Sequence, residues 1–196
     1  MLNMKRLTAA MAMLVALAVT APVAFAQTKI VVIDQARIEA ESKAGQSLRS
    51  ALSTIETQMQ NEMAPMATAF QSAQSALQAK VANITPEAAQ ADAALRQEGE
   101  ALQAQAANLS RERDVRATEL RMTTRKASVA YRDAIRPVLD QVMAEESADV
   151  ILDASQVVLA GDAVDVTAKV ISKLDASTPT ISVTRERLPQ SAPANQ

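Results

Sequence analysis

The sequence predicts a mainly α-helical α+β fold, in which one long antiparallel helical hairpin stands on a small β-body. Three observations predict it. An apolar stripe at helical spacing runs unbroken from Leu48 to Ile84. A weaker stripe returns from Ala88 to Val142. Short β-branched segments occur only outside that pair. A hairpin of this length cannot wrap around a core of its own, so it must project from its base as an arm.

The chain opens with a leader. Lys5 and Arg6 supply the positive start, Leu7 to Val19 the apolar run, and Ala24-Phe25-Ala26 the small-residue cleavage pattern. Residues 1–26 are therefore read as a secretory signal peptide. The rival is an uncleaved anchor, since Leu7 to Ala26 approaches membrane-spanning length; Pro22 and the cleavage pattern favour removal. No cysteine lies near the cut to carry a lipid.

Lys29-Ile30-Val31-Val32-Ile33 is apolar on both alternate sets and reads as a strand buried on both faces. Asp34 can end it and cap the first helix. In the first arm, Leu48, Leu52, Ile55, Met59, Met63, Met66, Phe70, Ala73, Leu77, Val81 and Ile84 follow steps of three and four. Leu48, Met59, Phe70 and Val81 recur every eleven residues, which predicts a nearly straight or slightly right-handed seam. Gly45 and Pro65 interrupt this helix. About fifty residues at ~1.5 Å each give an arm of roughly 75 Å.

At the turn, Thr85 is a good N-cap, Pro86 suits the first helical position and Glu87 complements the helix dipole. The return seam is Ala88, Ala91, Leu95, Gly99, Leu102, Ala106, Leu109, Arg113, Ala117, Leu120, Thr124, Ala127, Tyr131, Ile135, Val138 and Val142. Counted outward from Thr85, facing residues sum to 169 or 170, which sets Pro65 near Gln105 and close to Gly99. The pair reads as a tolerated bend, with a hinge as the alternative. Pro137 ends the arm. Residues 27–34 and 137–174 then make the β-body and 35–136 the arm.

Within the base, Asp149 to Asp153 and Gln156 to Ala160 read as strands. Asp165 is an N-cap candidate for a last helix with Val166, Val170, Ile171 and Leu174 on its apolar face. Residues 175–196 are dominated by Ser, Thr, Pro, Gln and Ala and read as a disordered tail, although Ile181-Ser182-Val183 has edge-strand alternation.

Composition narrows the function. The 20 basic residues less Lys5 and Arg6 leave 18 against 22 acidic, a formal charge of −4 after cleavage. That does not suit nucleic acid. There is no cysteine to staple a small core, and three aromatic residues supply little bulk, so oligomerisation is expected. Ile30, Val32, Ile151 and Val158 are the candidate interface. With no His and no Cys, the usual general base and thiol nucleophile are missing. The three glycines form no phosphate-cradling pattern and the carboxylates no metal-ligand cluster. The chain reads as a non-enzyme without cofactor or metal.

Charge along the arm is segregated. Met63 to Ala79 and Ala101 to Ser110 carry none. Arg111 to Arg136 carries eight basic residues, expected to face Glu39, Glu41 and Glu56. The uncharged middle is the candidate contact surface for a client chain. Thr68 and Ser75 lie off the seam there, and Met59, Met63, Met66 and Phe70 are soft apolar groups that suit varied partners. The unbroken spacing of those four assigns them first to the seam.

The opening Lys29-Ile30-Val31-Val32-Ile33-Asp34 before a long helical hairpin resembles the Skp (OmpH-like) family of periplasmic chaperones. So does the return through Ala148-Asp149-Val150-Ile151-Leu152-Asp153 and Val157-Val158-Leu159-Ala160 to Val164-Asp165-Val166-Thr167. The similarity covers nearly all of Gln27 to Leu174. It implies a jellyfish-like homotrimer with a shared β-body, and an ATP-independent holdase that keeps unfolded outer-membrane proteins in a cavity between its arms. It also implies a periplasmic location, transient association with membranes, and no cofactor. One departure stands out. The best-known members have basic arm tips, whereas Leu77 to Ala104 here sets Lys80 and Arg96 against Glu87, Asp92, Glu98 and Glu100. A structural coiled-coil spacer or adaptor of the cell envelope is the alternative reading.

Overall fold

The computed structural model describes residues 28–189. The leader expected over 1–26 lies outside them, as do residues 190–196. The β-branched run forms strand β1 (Ile30–Ile33), and Val31, Val32 and Ile33 are all buried, as a two-faced strand requires. Asp34 ends it and caps helix α1 (Gln35–Glu41), accepting from the Arg37 N–H at 2.9 Å.

The chain then breaks at Ser42, whose hydroxyl caps helix α2 (Lys43–Val81) through the Gly45 N–H at 3.1 Å. Gly45 is required at this corner. A Cβ there would lie 2.0 Å from the Glu39 carbonyl oxygen, so only glycine lets the two helices meet. Arg49 and Gln46 donate to the Ala40 and Glu41 carbonyls, satisfying groups that the end of α1 leaves free.

At the far end Thr85 accepts from the Ala88 N–H at 3.2 Å and caps helix α3 (Pro86–Ala91), with Pro86 in the first turn. A second break at Asp92, whose carboxylate accepts from the Ala94 and Leu95 N–H groups, starts helix α4 (Ala93–Glu145). Sequence reasoning missed both Ser42 and Asp92. Pro137 does not break the helix: α4 runs through it into the base, as α2 runs through Pro65. Pro137 is exposed, while Val138 and Val142 beyond it are buried, so packing outweighs one missing hydrogen bond.

Helices α2 and α4 lie antiparallel. The ion pairs Lys80–Glu98 and Glu62–Arg116 both give facing numbers that sum to 178, not 169 or 170. The inserted α3 and Asp92 move the midpoint of the turn from Thr85 to about Ala89. Pro65 therefore stands level with Arg113, and Gly99 with Ala79, well apart along the arm. The expected cluster of two weak points is not there.

In the base, β1 pairs in parallel with β2 (Val150–Asp153), Val31 opposite Ile151. On the other edge of β1, Val32 bridges to Asp165 and its carbonyl accepts from the Val166 N–H at 2.9 Å. The strand expected from Gln156 to Ala160 does not form. Asp153 holds a 3-10 turn (Ala154–Gln156) through the Ser155 N–H at 2.8 Å and turns the chain away, while β1 has both edges taken. Helix α5 (Thr167–Ser177) follows, with the Asp165 carboxylate accepting from the Thr167 N–H at 2.8 Å.

One core joins these pieces: Val31 and Ile33, Ile38, Ala44 and Leu48, Ala127, Val138 and Val142, and Val166, Val170 and Leu174. Ile181 completes it, which corrects the expected disordered tail over its described part. Residues 175–177 finish α5, and 178–189 run extended along the lower arm as a strap. Ile181-Ser182-Val183 joins no sheet; the Ile181 N–H donates to Ser47 Oγ at 3.3 Å instead. No helix among the described residues is long and apolar enough to cross a membrane.

Candidate functional site

The arm carries a lower charged girdle and an upper single ion pair, with a charge-free collar between them. The lower girdle is built where α2, α4 and the strap meet. Arg185 on the strap donates from Nη1 to Glu62 at 2.7 Å and from Nη2 to Glu119 at 2.7 Å. Arg116 lies within 3.2 Å of Glu119, 3.3 Å of Glu62 and 3.4 Å of Glu112. Three carboxylates thus share two guanidiniums. Glu119 is only 3% exposed, and Thr123 one turn on is fully buried.

Burial works against ionisation of Glu119. Arg185, the Leu188 N–H at 3.1 Å and Arg116 outweigh it, and hold the carboxyl below its ordinary value. Its hydrogen bond from Arg185 does the same for Glu62, and those two carboxylates raise the Arg185 guanidinium. Glu62, Glu119 and Arg185 are therefore all ionised at neutral pH.

This arrangement revises the return seam. Arg113, Ala117 and Thr124 are exposed, and the inward positions over that stretch are Glu112, Arg116, Glu119 and Thr123. Reading apolar residues alone placed the seam one residue too late, because polar side chains turn inward where Glu62 and Arg185 await them. Among the described residues the basic run makes no ion pair with Glu39, Glu41 or Glu56. Its ion pairs to other elements are Arg116 with Glu62, and Lys126 with Glu186 on the strap. Glu119, Thr123 and Arg185 were not singled out in the sequence. The available signal was the alternation Ile181, Val183, Arg185, which marks one face of an extended segment.

Above the girdle the collar begins. With the observed register, the uncharged 101–110 of α4 lies level with 68–77, within the longer uncharged stretch of α2. The part uncharged on both helices spans roughly 15 Å, inside an α2 stretch, Met63 to Ala79, of roughly 25 Å, at ~1.5 Å per residue. The exposed Lys80–Glu98 pair closes it distally. Thr68 and Ser75 are exposed, Met66 is 38% exposed, and Met63 and Phe70 are half-buried. Met59 is 4% exposed and belongs to the seam, so it offers no surface to a partner.

The four base candidates separate in the same way. Val32 is 6% exposed and covered by its own chain, which removes it from a candidate interface. Ile151 is half-buried against the core. Ile30 is exposed at the strand's start, and Val158 is 105% exposed beside an equally bare Leu159.

The family model for outer membrane protein (OmpH-like) matches residues 29–174. A crystal structure from Caulobacter crescentus, of a candidate outer membrane chaperone (OmpH-like), is similar at 30% identity. The match covers 85% of this chain and 95% of that one, with a TM-score of 0.71. No curated protein matches the chain.

Proposed function

The chain belongs to the OmpH-like family, and from that premise we propose that it is an ATP-independent periplasmic holdase for unfolded outer-membrane proteins. The observation that carries the reading is the charge-free collar. Small and soft side chains stand half-exposed on both helices there, between the lower girdle of ion pairs and the single Lys80–Glu98 pair. A holdase needs contacts that are weak, numerous and undemanding of geometry. Several such arms on one particle would hold a client by multivalency, each contact raising the effective concentration of the next. Unbranched methionines such as Met63 and Met66 adapt to many partners.

The arm is then a tentacle, and the base its oligomerisation point. The bare Val158 and Leu159 and the exposed Ile30 support a shared base, since apolar side chains of this size are seldom left so open together. A homotrimer is the assembly proposed. Light scattering on the mature protein is expected to give three chains per particle. Val158→Asp is expected to dissociate it, because a buried unpaired charge is costly. Val158 has no packing in the single chain, so loss of mass would report on assembly and not on folding. A stable monodisperse wild-type monomer would sink the proposal.

Holding itself is tested by suppression of aggregation of an unfolded outer-membrane barrel as salt is raised. Contacts led by the collar should persist through physiological salt, since apolar contact is not screened. Thr68→Glu with Ser75→Glu should weaken holding about tenfold at unchanged helicity, and neutralising Lys80 and Arg96 should change it little. Steep release between low and physiological salt, with sensitivity to Arg111, Arg121 and Arg125, would favour capture by charge instead.

A further inference from the structure

The strap lies outside the family match, which ends at residue 174, yet it fills a formed groove on the lower arm. Its residues alternate. Ile181 is buried and Val183 packs on the core, Ser182 and Thr184 between them face solvent, and Arg185 turns back in. Three of its backbone N–H groups are received by side chains of the arm: Ile181 by Ser47 Oγ at 3.3 Å, Glu186 by Thr123 Oγ1 at 2.9 Å, and Leu188 by Glu119 Oε1 at 3.1 Å. Such contacts read main chain and tolerate sequence. Specificity falls to two aliphatic positions and one carboxylate clamp, Glu62 with Glu119, that takes a guanidinium two residues on.

We infer that this groove is a binding site for extended peptide segments patterned aliphatic-x-aliphatic-x-Arg, and that the strap is its exchangeable built-in occupant. The inference rests on the holdase reading for the source of the competitor. Strands of membrane barrels alternate apolar and polar residues with period two, the alternation that the strap presents. The strap joins no sheet, so its release breaks no strand ladder. A client segment of the same pattern would replace its aliphatic contacts, its main-chain bonds and its arginine. The empty groove would expose Glu62 and Glu119 without Arg185, so a segment lacking a cation should compete poorly.

The test uses the full chain with a protease site inserted between Ser177 and Thr178, cut after folding, and a fluorescent peptide of residues 178–189 as probe. The labelled peptide is expected to exchange into the cut protein saturably. It should bind uncut wild type at least tenfold more weakly, and an Arg185→Ala peptide should bind the cut protein at least tenfold more weakly. An unlabelled barrel-strand peptide of the stated pattern should displace the probe, and its scrambled version should not. In the uncut chain, Arg185→Ala should open the groove and raise probe binding at least fivefold. A cut strap that never exchanges, equal binding to cut and uncut protein, or no displacement by the patterned peptide would each overturn the inference. Exchange in a protein that fails to suppress barrel aggregation would sink the holdase reading and leave the groove standing. Suppression without exchange would do the reverse.

Discussion

The lower and upper halves of the arm are made from the same two helices, with similar spacing of apolar residues, and differ in what they bury. Up to Met59 and Glu119 the seam is closed: Leu48, Ile55, Met59 and Ala127 are all buried. Above them Leu109, level with Ala69, is the only buried residue of α2, α3 or α4 among those described. The lower half has a third layer from α5 and the strap, whereas the upper half has two helices alone. Two helices can bury a seam on one side of each only in part, so a stripe that reads as core becomes half-open surface. The lesson is that periodicity specifies a face but not whether that face is covered.

The largest test of this contrast sets one ion pair against another. Glu119→Ala removes a buried partner from Arg185 and Arg116, and should cost about 3–5 kcal/mol in a urea titration. Glu98→Ala removes a partner from the exposed Lys80 and should cost about 0.2–1 kcal/mol. Equal costs would mean that the lower girdle is as solvated as the upper pair.

Glycines extend the comparison with a change of sign. Gly45→Ala drives a methyl into the Glu39 carbonyl, so α1 has to shift, at about 1–3 kcal/mol of stability. Around Gly99 a methyl meets nothing, and Gly99→Ala should stabilise the upper arm by about 0.5–1 kcal/mol. Thermal unfolding of the two variants at matched protein concentration checks both. Destabilisation by Gly99→Ala would show that the upper arm is more tightly enclosed than its two helices imply.

The pH dependence of stability is slight near neutrality and diagnostic near pH 4. Glu62 and Glu119 are held below 4.5 in the folded chain. Their contribution is therefore complete above that value, and is lost as pH falls through the lower folded values. With no histidine in the chain, stability should stay nearly flat from pH 5 to 7 and fall below pH 4.5. Arg185→Ala should flatten that acid limb. An unchanged limb in the variant would place the titrating groups elsewhere.

Local features were legible from the sequence because they depend on residues a few positions apart. The β-branched run of β1, the Asp34 and Thr85 caps, the helical stripe to Val81 and the terminal pieces that resemble the family all belong here. Features that need a distant partner were not legible. The arm's register depended on Asp92, which a stripe of apolar residues does not reveal, and the seam around Glu119 followed charge pairing over hydropathy. The stretch 178–189 looked too polar to order because its stabilising partners, Ser47, Glu62, Glu119 and Thr123, lie 63 to 134 residues away in sequence. Val32 and Val158 looked alike as β-branched residues of the base, and only the closed edges of β1 buried one and left the other bare. An extended polar segment carries no period of its own strong enough to predict order; it is ordered when a tertiary surface supplies its hydrogen bonds and its counter-charges, and that surface exists only once α2 and α4 have met.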